Sequence, residues 1–154
     1  MAPHTSGWDI VVGVLYRNII GIRGAKFFGK KELFDSPLGF IFKSLGGLPV
    51  DRFSKQKLVE TAIEIFNTNE KFILALSPEG TRKKVEKLKT GFYHIAKGAK
   101  VPIVMAGIDF KNKKLYLSEP FYTSDNEEED IRKVICFFAP IQGKNPELGM
   151  GHLI

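Results

Sequence analysis

Cysteine is almost missing from this chain. Cys136 stands alone, which excludes a disulfide framework and a cysteine-rich zinc cluster and suits a reducing compartment. Long apolar runs are missing as well: Ile10 to Tyr16 is about seven residues, far below the ~18 that a membrane span needs. The start reads Met1-Ala2-Pro3-His4, with no basic stretch and apolar core to mark a secretory leader. No repeat, low-complexity tract or Pro/Gly/Ser-rich linker divides the 154 residues, so a single domain over 1–154 is expected. Acidic residues are the minority, 17 against 23 Lys and Arg, for a net charge of +6. The excess lies early: residues 1–100 hold 17 basic and 9 acidic side chains, and residues 101–154 hold 6 and 8. Together with thirteen Phe, this balance suits an anionic partner, which could be nucleic acid, a phosphorylated small molecule or a membrane surface.

Patterning alternates helices and strands. Asp9 to Arg17, Pro37 to Leu45, Ser54 to Asn67, Gly91 to Lys97 and Glu127 to Phe138 read as helices. Pro37 begins the second and Gly46-Gly47 ends it. In the third, Leu58, Ala62, Ile65 and Phe66 share one face, and Ser124 or Asp125 can cap the last. Ala25 to Leu33, Lys71 to Leu76 and Val101 to Phe110 read as strands, with Lys113 to Phe121 as a hairpin partner for the last of these. The expected fold is α/β, a mixed β-sheet flanked by helices.

Three clusters can carry chemistry. His4 and Asp9 are five positions apart, an offset of ~140° on a continuous helix. They meet only if His4 lies in a turn and Asp9 in the first turn of the helix that follows. The carboxylate could then hold one ring nitrogen and leave the other free as a base for an alcohol. The bland reading is a helix-start Asp and a solvated His. Gly46-Gly47-Leu48-Pro49-Val50-Asp51-Arg52 offers close backbone approach and a planar fork for a phosphate, or simply a helix stop with a surface ion pair. Ser77-Pro78-Glu79-Gly80-Thr81-Arg82-Lys83-Lys84 follows a strand, where ligands of open α/β sheets bind. It is not a Walker phosphate loop, and an ordinary basic turn is its bland alternative.

In order, His-x4-Asp, Gly-Gly-Leu-Pro-Val-Asp-Arg, Pro-Glu-Gly-Thr-Arg and Val101-Pro102-Ile103-Val104 resemble the four blocks of the glycerolipid acyltransferase superfamily. Phe28 to Phe34 and Lys89 to Phe92 are similar to its connecting segments. The resemblance covers His4 to about Phe110 and implies a glycerol-3-phosphate acyltransferase-like fold. It further implies transfer of a fatty acyl group from acyl-CoA or acyl carrier protein to a hydroxyl of a glycerol-phosphate or lysophospholipid, as in phospholipid biosynthesis. His4 would be the general base and Asp9 its support. Arg52 would hold the acceptor phosphate, Glu79, Gly80, Thr81 and Arg82 would complete that pocket, and Pro102 would shape the acyl-donor side. An activated thioester calls for neither metal nor cofactor. Members of that superfamily generally carry a hydrophobic strand ahead of the His, and often helices before that. Here only Met1-Ala2-Pro3 precedes it, so the resemblance implies a domain lacking those parts, with His4 near a frayed end. The runner-up reading is therefore a weak or inactive lipid- or phosphate-binding module of the same fold.

A lipid acceptor implies a cytoplasmic chain, peripheral at the inner, anionic membrane face, with Phe27, Phe28, Phe34, Phe40 and Phe42 beside Lys43 as candidate contacts. No nucleic-acid motif accompanies the basic residues, so nucleic acid is not an expected partner. His94 reads as a partly buried structural residue, His152 as part of a mobile tail, and Cys136 as a packed core thiol. Lys111, Lys113 and Lys114 read as a solvated hairpin turn.

Overall fold

A computed structural model of the chain describes residues 1–50 and 55–154. Helix α1 (Trp8–Ile19) leads to strand β1 (Lys26–Lys30), helices α2 (Lys31–Phe34) and α3 (Gly39–Ser44), and strand β2 (Gly47–Val50). Next come α4 (Lys55–Thr68), the short β3 (Leu74–Ala75), α5 (Gly91–Ala99), the hairpin β4 (Ala106–Asp109) and β5 (Lys114–Leu117), and α6 (Glu127–Phe138). Two 3-10 turns, Pro146–Leu148 and Gly151–Leu153, follow.

The α/β expectation holds, with two separate sheets among the described residues in place of one mixed sheet. Strands β2, β1 and β3 pair in parallel in that order, and β4 pairs with β5 antiparallel. Residues 1 and 2 run between them: the Met1 amine donates to the Leu76 carbonyl at 2.6 Å, and Ala2 N–H to the Ala106 carbonyl at 3.1 Å. The frayed end expected beside His4 is thus tied down by backbone pairing on both sides.

Part of the Gly46 to Arg52 cluster, expected as a close backbone approach leading to a phosphate fork or as a plain helix stop, forms strand β2. Gly and Pro are poor strand formers, but β2 is an edge strand of its sheet, where a residue without an N–H is tolerated. Gly46, at φ +89°, ends α3 in the left-handed conformation that favours glycine. Gly47 and Gly29 make room for one ring: a Cβ at either would lie 2.7–2.8 Å from Phe34 carbons. Burial of Phe34 is also why the expected strand through Leu33 stops at Lys30, since residues 31–34 turn into helix α2 to deliver that ring. Strand β4 begins at Ala106 and not Val101, the preceding segment making only a bridge from Ile103 to Phe121.

Helix α6 is capped by Asn126, whose Oδ1 accepts from Glu129 N–H at 3.2 Å, in place of Ser124 or Asp125. Asp130, Val134 and Phe138 form its buried face, at i, i+4 and i+8. Val134 and Phe138 join Ala2, Leu88, Ile141 and Met150 in the main core cluster. Cys136 falls on the opposite face and is exposed, so it is no core thiol. His94 is exposed as well, with Nε2 3.3 Å from Thr90 Oγ1 and 3.8 Å from Glu127 Oε2. His152 is fastened to the Val85 carbonyl through Nε2 at 2.8 Å.

Candidate functional site

Asp9 lies in the first turn of α1, buried, and the chain ahead of it folds back around its carboxylate. One oxygen, Oδ2, accepts from Thr5 N–H at 2.7 Å and Ser6 N–H at 2.8 Å. That wrapping carries His4 over the same oxygen, with Nδ1 3.2 Å from Oδ2. The pair is at ion-pair distance without the alignment of a full hydrogen bond, a looseness common in catalytic pairs before substrate arrives. Nε2 of His4 has no partner among the described residues, and the side chain is 18% exposed. A base on the free nitrogen with a carboxylate behind the other is the arrangement that takes a proton from an alcohol.

Two distant segments hold this turn. Glu79, buried after β3, accepts from His4 N–H through Oε1 at 2.6 Å. Burial pushes its carboxyl above the usual range, opposed by the backbone N–H groups of His4 and of Glu79 itself, by the Met1 amine and by the His4 ring. From the other side comes Asn145, which the sequence did not single out. Its Nδ2 donates to the Thr5 carbonyl at 2.8 Å, and its backbone N–H to Thr5 Oγ1 at 3.2 Å. Gly143 lets that segment close in, since a Cβ there would lie 2.6 Å from Thr5 Oγ1. Asn145 is 140 positions from its partner, and no local spacing could have signalled it. Asp9 Oδ1 and Glu79 Oε2 are also buried, with no hydrogen-bond partner among the described residues.

Other candidates divide by position. Arg82 is exposed and reaches the His4 turn: its Nη1 lies 3.5 Å from where a Cβ of Gly7 would stand. Gly80, at φ +65°, makes the turn after Glu79, with its N–H on the Ser77 carbonyl at 3.1 Å. Thr81 Oγ1 accepts from Lys83 N–H at 3.2 Å. Pro102 is exposed ahead of β4 and takes no part in the hydrogen bonds of the His4 turn. Arg52 lies outside the described residues. A concavity of about 550 Å³ runs along α6, lined by Ile131, Cys136 and Leu153 among others, and includes none of these site residues. Among the described residues no His, Cys, Asp and Glu cluster is arranged to hold a metal ion.

The family model described as Acyltransferase matches residues 1–109, the stretch that contains the His4 turn and its Glu79 clamp. The chain belongs to the acyltransferase family. Within that family it is 33% identical over 124 residues to a 1-acyl-sn-glycerol-3-phosphate acyltransferase of Escherichia coli (strain K12). The match covers 77% of this chain and 49% of the relative, so the chain spans about half the relative's length. No solved structure matches the chain. The four-block resemblance to glycerolipid acyltransferases is borne out by these matches. The clamp from Asn145 lies beyond the residues the acyltransferase family model covers.

Proposed function

We propose that this acyltransferase-family chain moves a fatty acyl group from an acyl thioester, acyl-CoA or acyl carrier protein, to a hydroxyl of a glycerol-phosphate or lysophospholipid acceptor. The observation that carries the reading is the His4–Asp9 pair, 3.2 Å apart with Nε2 open. His4 Nε2 removes the acceptor hydroxyl proton as that oxygen bonds to the thioester carbon. The buried carboxylate of Asp9 stabilises the imidazolium as it forms. Collapse of the tetrahedral intermediate breaks the carbon–sulfur bond, and the imidazolium returns its proton to the departing thiolate. Glu79 acts through the His4 backbone and keeps the ring over Asp9. Arg82, beside the turn, meets the acceptor phosphate as a charge-assisted donor, with Arg52 in the same role and Gly80 and Thr81 shaping the loop. Pro102 belongs to the acyl-donor side. The lipid acceptor makes the chain peripheral at an anionic membrane surface on the cytoplasmic side. Among the described residues, no helix is long and apolar enough to cross a membrane.

Thiol release from acyl-CoA in the presence of lysophosphatidate tests the reading. Turnover by the chain and its loss in His4→Ala are expected, with Arg82→Ala raising KM for lysophosphatidate more than it lowers kcat. Equal background from the chain and His4→Ala refutes catalysis and leaves the binding-module reading.

A further inference from the structure

Between β3 and α5 the chain has neither helix nor strand, yet it is closed. Lys89 N–H donates to the Pro78 carbonyl at 2.7 Å and Gly80 N–H to the Ser77 carbonyl at 3.1 Å. Residues 78–89 therefore form a loop whose ends meet, in the manner of a compact Ω-loop. Its apolar residues turn inward: Leu88 belongs to the main core cluster and Val85 packs against it, with the Val85 carbonyl on the His152 ring at 2.8 Å. Outward stand Arg82, Lys83, Lys84, Lys87 and Lys89, all exposed, against one exposed acid, Glu86. Lys97 and Lys133 elsewhere are paired with carboxylates. Among the described residues none of the five loop cations is at ion-pair distance from one. Unpaired charge of one sign, held on an anchored loop, is a surface for an anionic partner.

Both ends of the loop are at the His4 turn. Glu79 accepts from His4 N–H at 2.6 Å, and Arg82 Nη1 stands beside Gly7. The Lys89 stem lies over Gly80, its Cγ 3.1 Å from where a Cβ would stand. Lys84 is four positions after Gly80, and Lys87 two before Lys89, so each cation is within ~14 Å of extended chain from a closed end. An acyl thioester is carried on phosphopantetheine, an arm with two amides about as long as four extended residues, or ~14 Å. Its far end is anionic, so a donor held there by the loop brings its thioester to His4. In acyl-CoA the far end is a nucleotide, which calls for a concavity; those along α6 and beside Asp109 include no residue of this loop. A bilayer calls for apolar side chains to insert, and the loop turns Val85 and Leu88 inward. Of the Phe residues expected to touch lipid none lies here; Phe34 is buried, and Phe27, Phe28 and Phe42 are half-buried. A carrier protein with an acidic surface around its phosphopantetheine matches cations spread along an exposed loop. We infer that residues 82–89 are the surface on which an acidic acyl carrier protein docks to present its thioester to His4. The inference rests on the acyltransfer reading and chooses the donor.

Two measurements test it: fluorescence anisotropy of a labelled acyl carrier protein bearing phosphopantetheine, and thiol release from acyl carrier protein and from acyl-CoA with lysophosphatidate as acceptor. A triple variant, Lys83→Glu with Lys84→Glu and Lys87→Glu, reverses three charges and leaves Glu79, Gly80, Thr81 and Arg82 in place. Those three side chains are exposed, so the variant should melt with the parent. Carrier-protein binding, and kcat/KM for that donor, should fall about tenfold or more. Turnover of acyl-CoA and the KM for lysophosphatidate should stay within about twofold of the parent, whose carrier-protein binding should weaken as salt rises. Equal losses with both donors overturn the proposal in favour of the phosphates of CoA. A raised KM for lysophosphatidate overturns it in favour of the acceptor. Unchanged carrier-protein binding in the variant overturns it outright, as does equal binding of an acidic protein that lacks phosphopantetheine. Carrier-protein binding by the parent and His4→Ala with no turnover from either donor is failure of the acyltransferase reading. Turnover of acyl-CoA without carrier-protein binding is failure of this inference alone.

Discussion

Replacing Asp9 by Asn isolates what its charge contributes. The side-chain oxygen of Asn can still accept from Thr5 and Ser6 N–H, which now lie 2.7 and 2.8 Å from Oδ2, so the turn keeps its shape. In the proposed mechanism, what disappears is the attraction between a carboxylate and the imidazolium that forms during proton transfer. At 3.2 Å and an effective dielectric of about 20, that attraction is about 5 kcal/mol. His4 is partly open to solvent, and screening lowers the figure; about 4 kcal/mol corresponds to a fall of about a thousandfold in kcat. Stability should change by only about 1–2 kcal/mol, the difference between charge-assisted and neutral hydrogen bonds. Asp9→Ala differs, because it leaves two backbone N–H groups without their acceptor and should destabilise the fold by roughly 2–5 kcal/mol. Thiol-release kinetics and urea unfolding on the same preparations separate the two effects. A kcat for Asp9→Asn within tenfold of the parent, at parental stability, would refute electrostatic support of His4.

Burial holds the Glu79 carboxyl above its usual range, so the folded state carries more protons than the unfolded state just above the ordinary carboxylate value. Stability should therefore fall as pH rises through that window. Glu79→Gln removes this dependence while its amide oxygen can still accept from His4 N–H; urea midpoints from about pH 4 to about pH 7 that run parallel for the two proteins would contradict the assignment. Asn145→Ala removes the side-chain hydrogen bond to the Thr5 carbonyl and keeps the backbone N–H on Thr5 Oγ1, and should lower stability by roughly 1–3 kcal/mol. It should also lower kcat by about tenfold through a displaced His4, and an unchanged kcat would show that Glu79 suffices to hold the turn.

The site was readable to the extent that it is local. His4 and Asp9 were recognisable because a five-residue offset closes only through a turn, and the turn that forms is made by backbone N–H groups folding onto that same carboxylate. Glu79 was visible as a site residue in a motif, but the sequence cast it as part of an acceptor pocket. Its actual hydrogen bond, to a backbone amide 75 positions away, has no sequence periodicity to betray it. The fold followed the same division. Helices α4 and α6 were legible from apolar residues on one face. Strand β2 was not, since Gly47 and Pro49 argue against a strand until its edge position and the Phe34 ring are known. Cys136 and His94 were misplaced for a related reason: an apolar neighbourhood in sequence does not tell which side of a helix faces the core.

By itself the sequence determined the family, the alternation of helices and strands, the charge asymmetry and the identity of the His–Asp pair. These rest on residue type and short-range spacing, which backbone geometry converts directly into local structure. Only the tertiary structure decided that Glu79 and Asn145 clamp the His4 turn from opposite sides, that Arg82 stands beside it, and that the cations of residues 82–89 share one closed loop. Each of those depends on which distant segments come together. Long-range packing sets that, and it leaves no trace in the spacing of the residues involved.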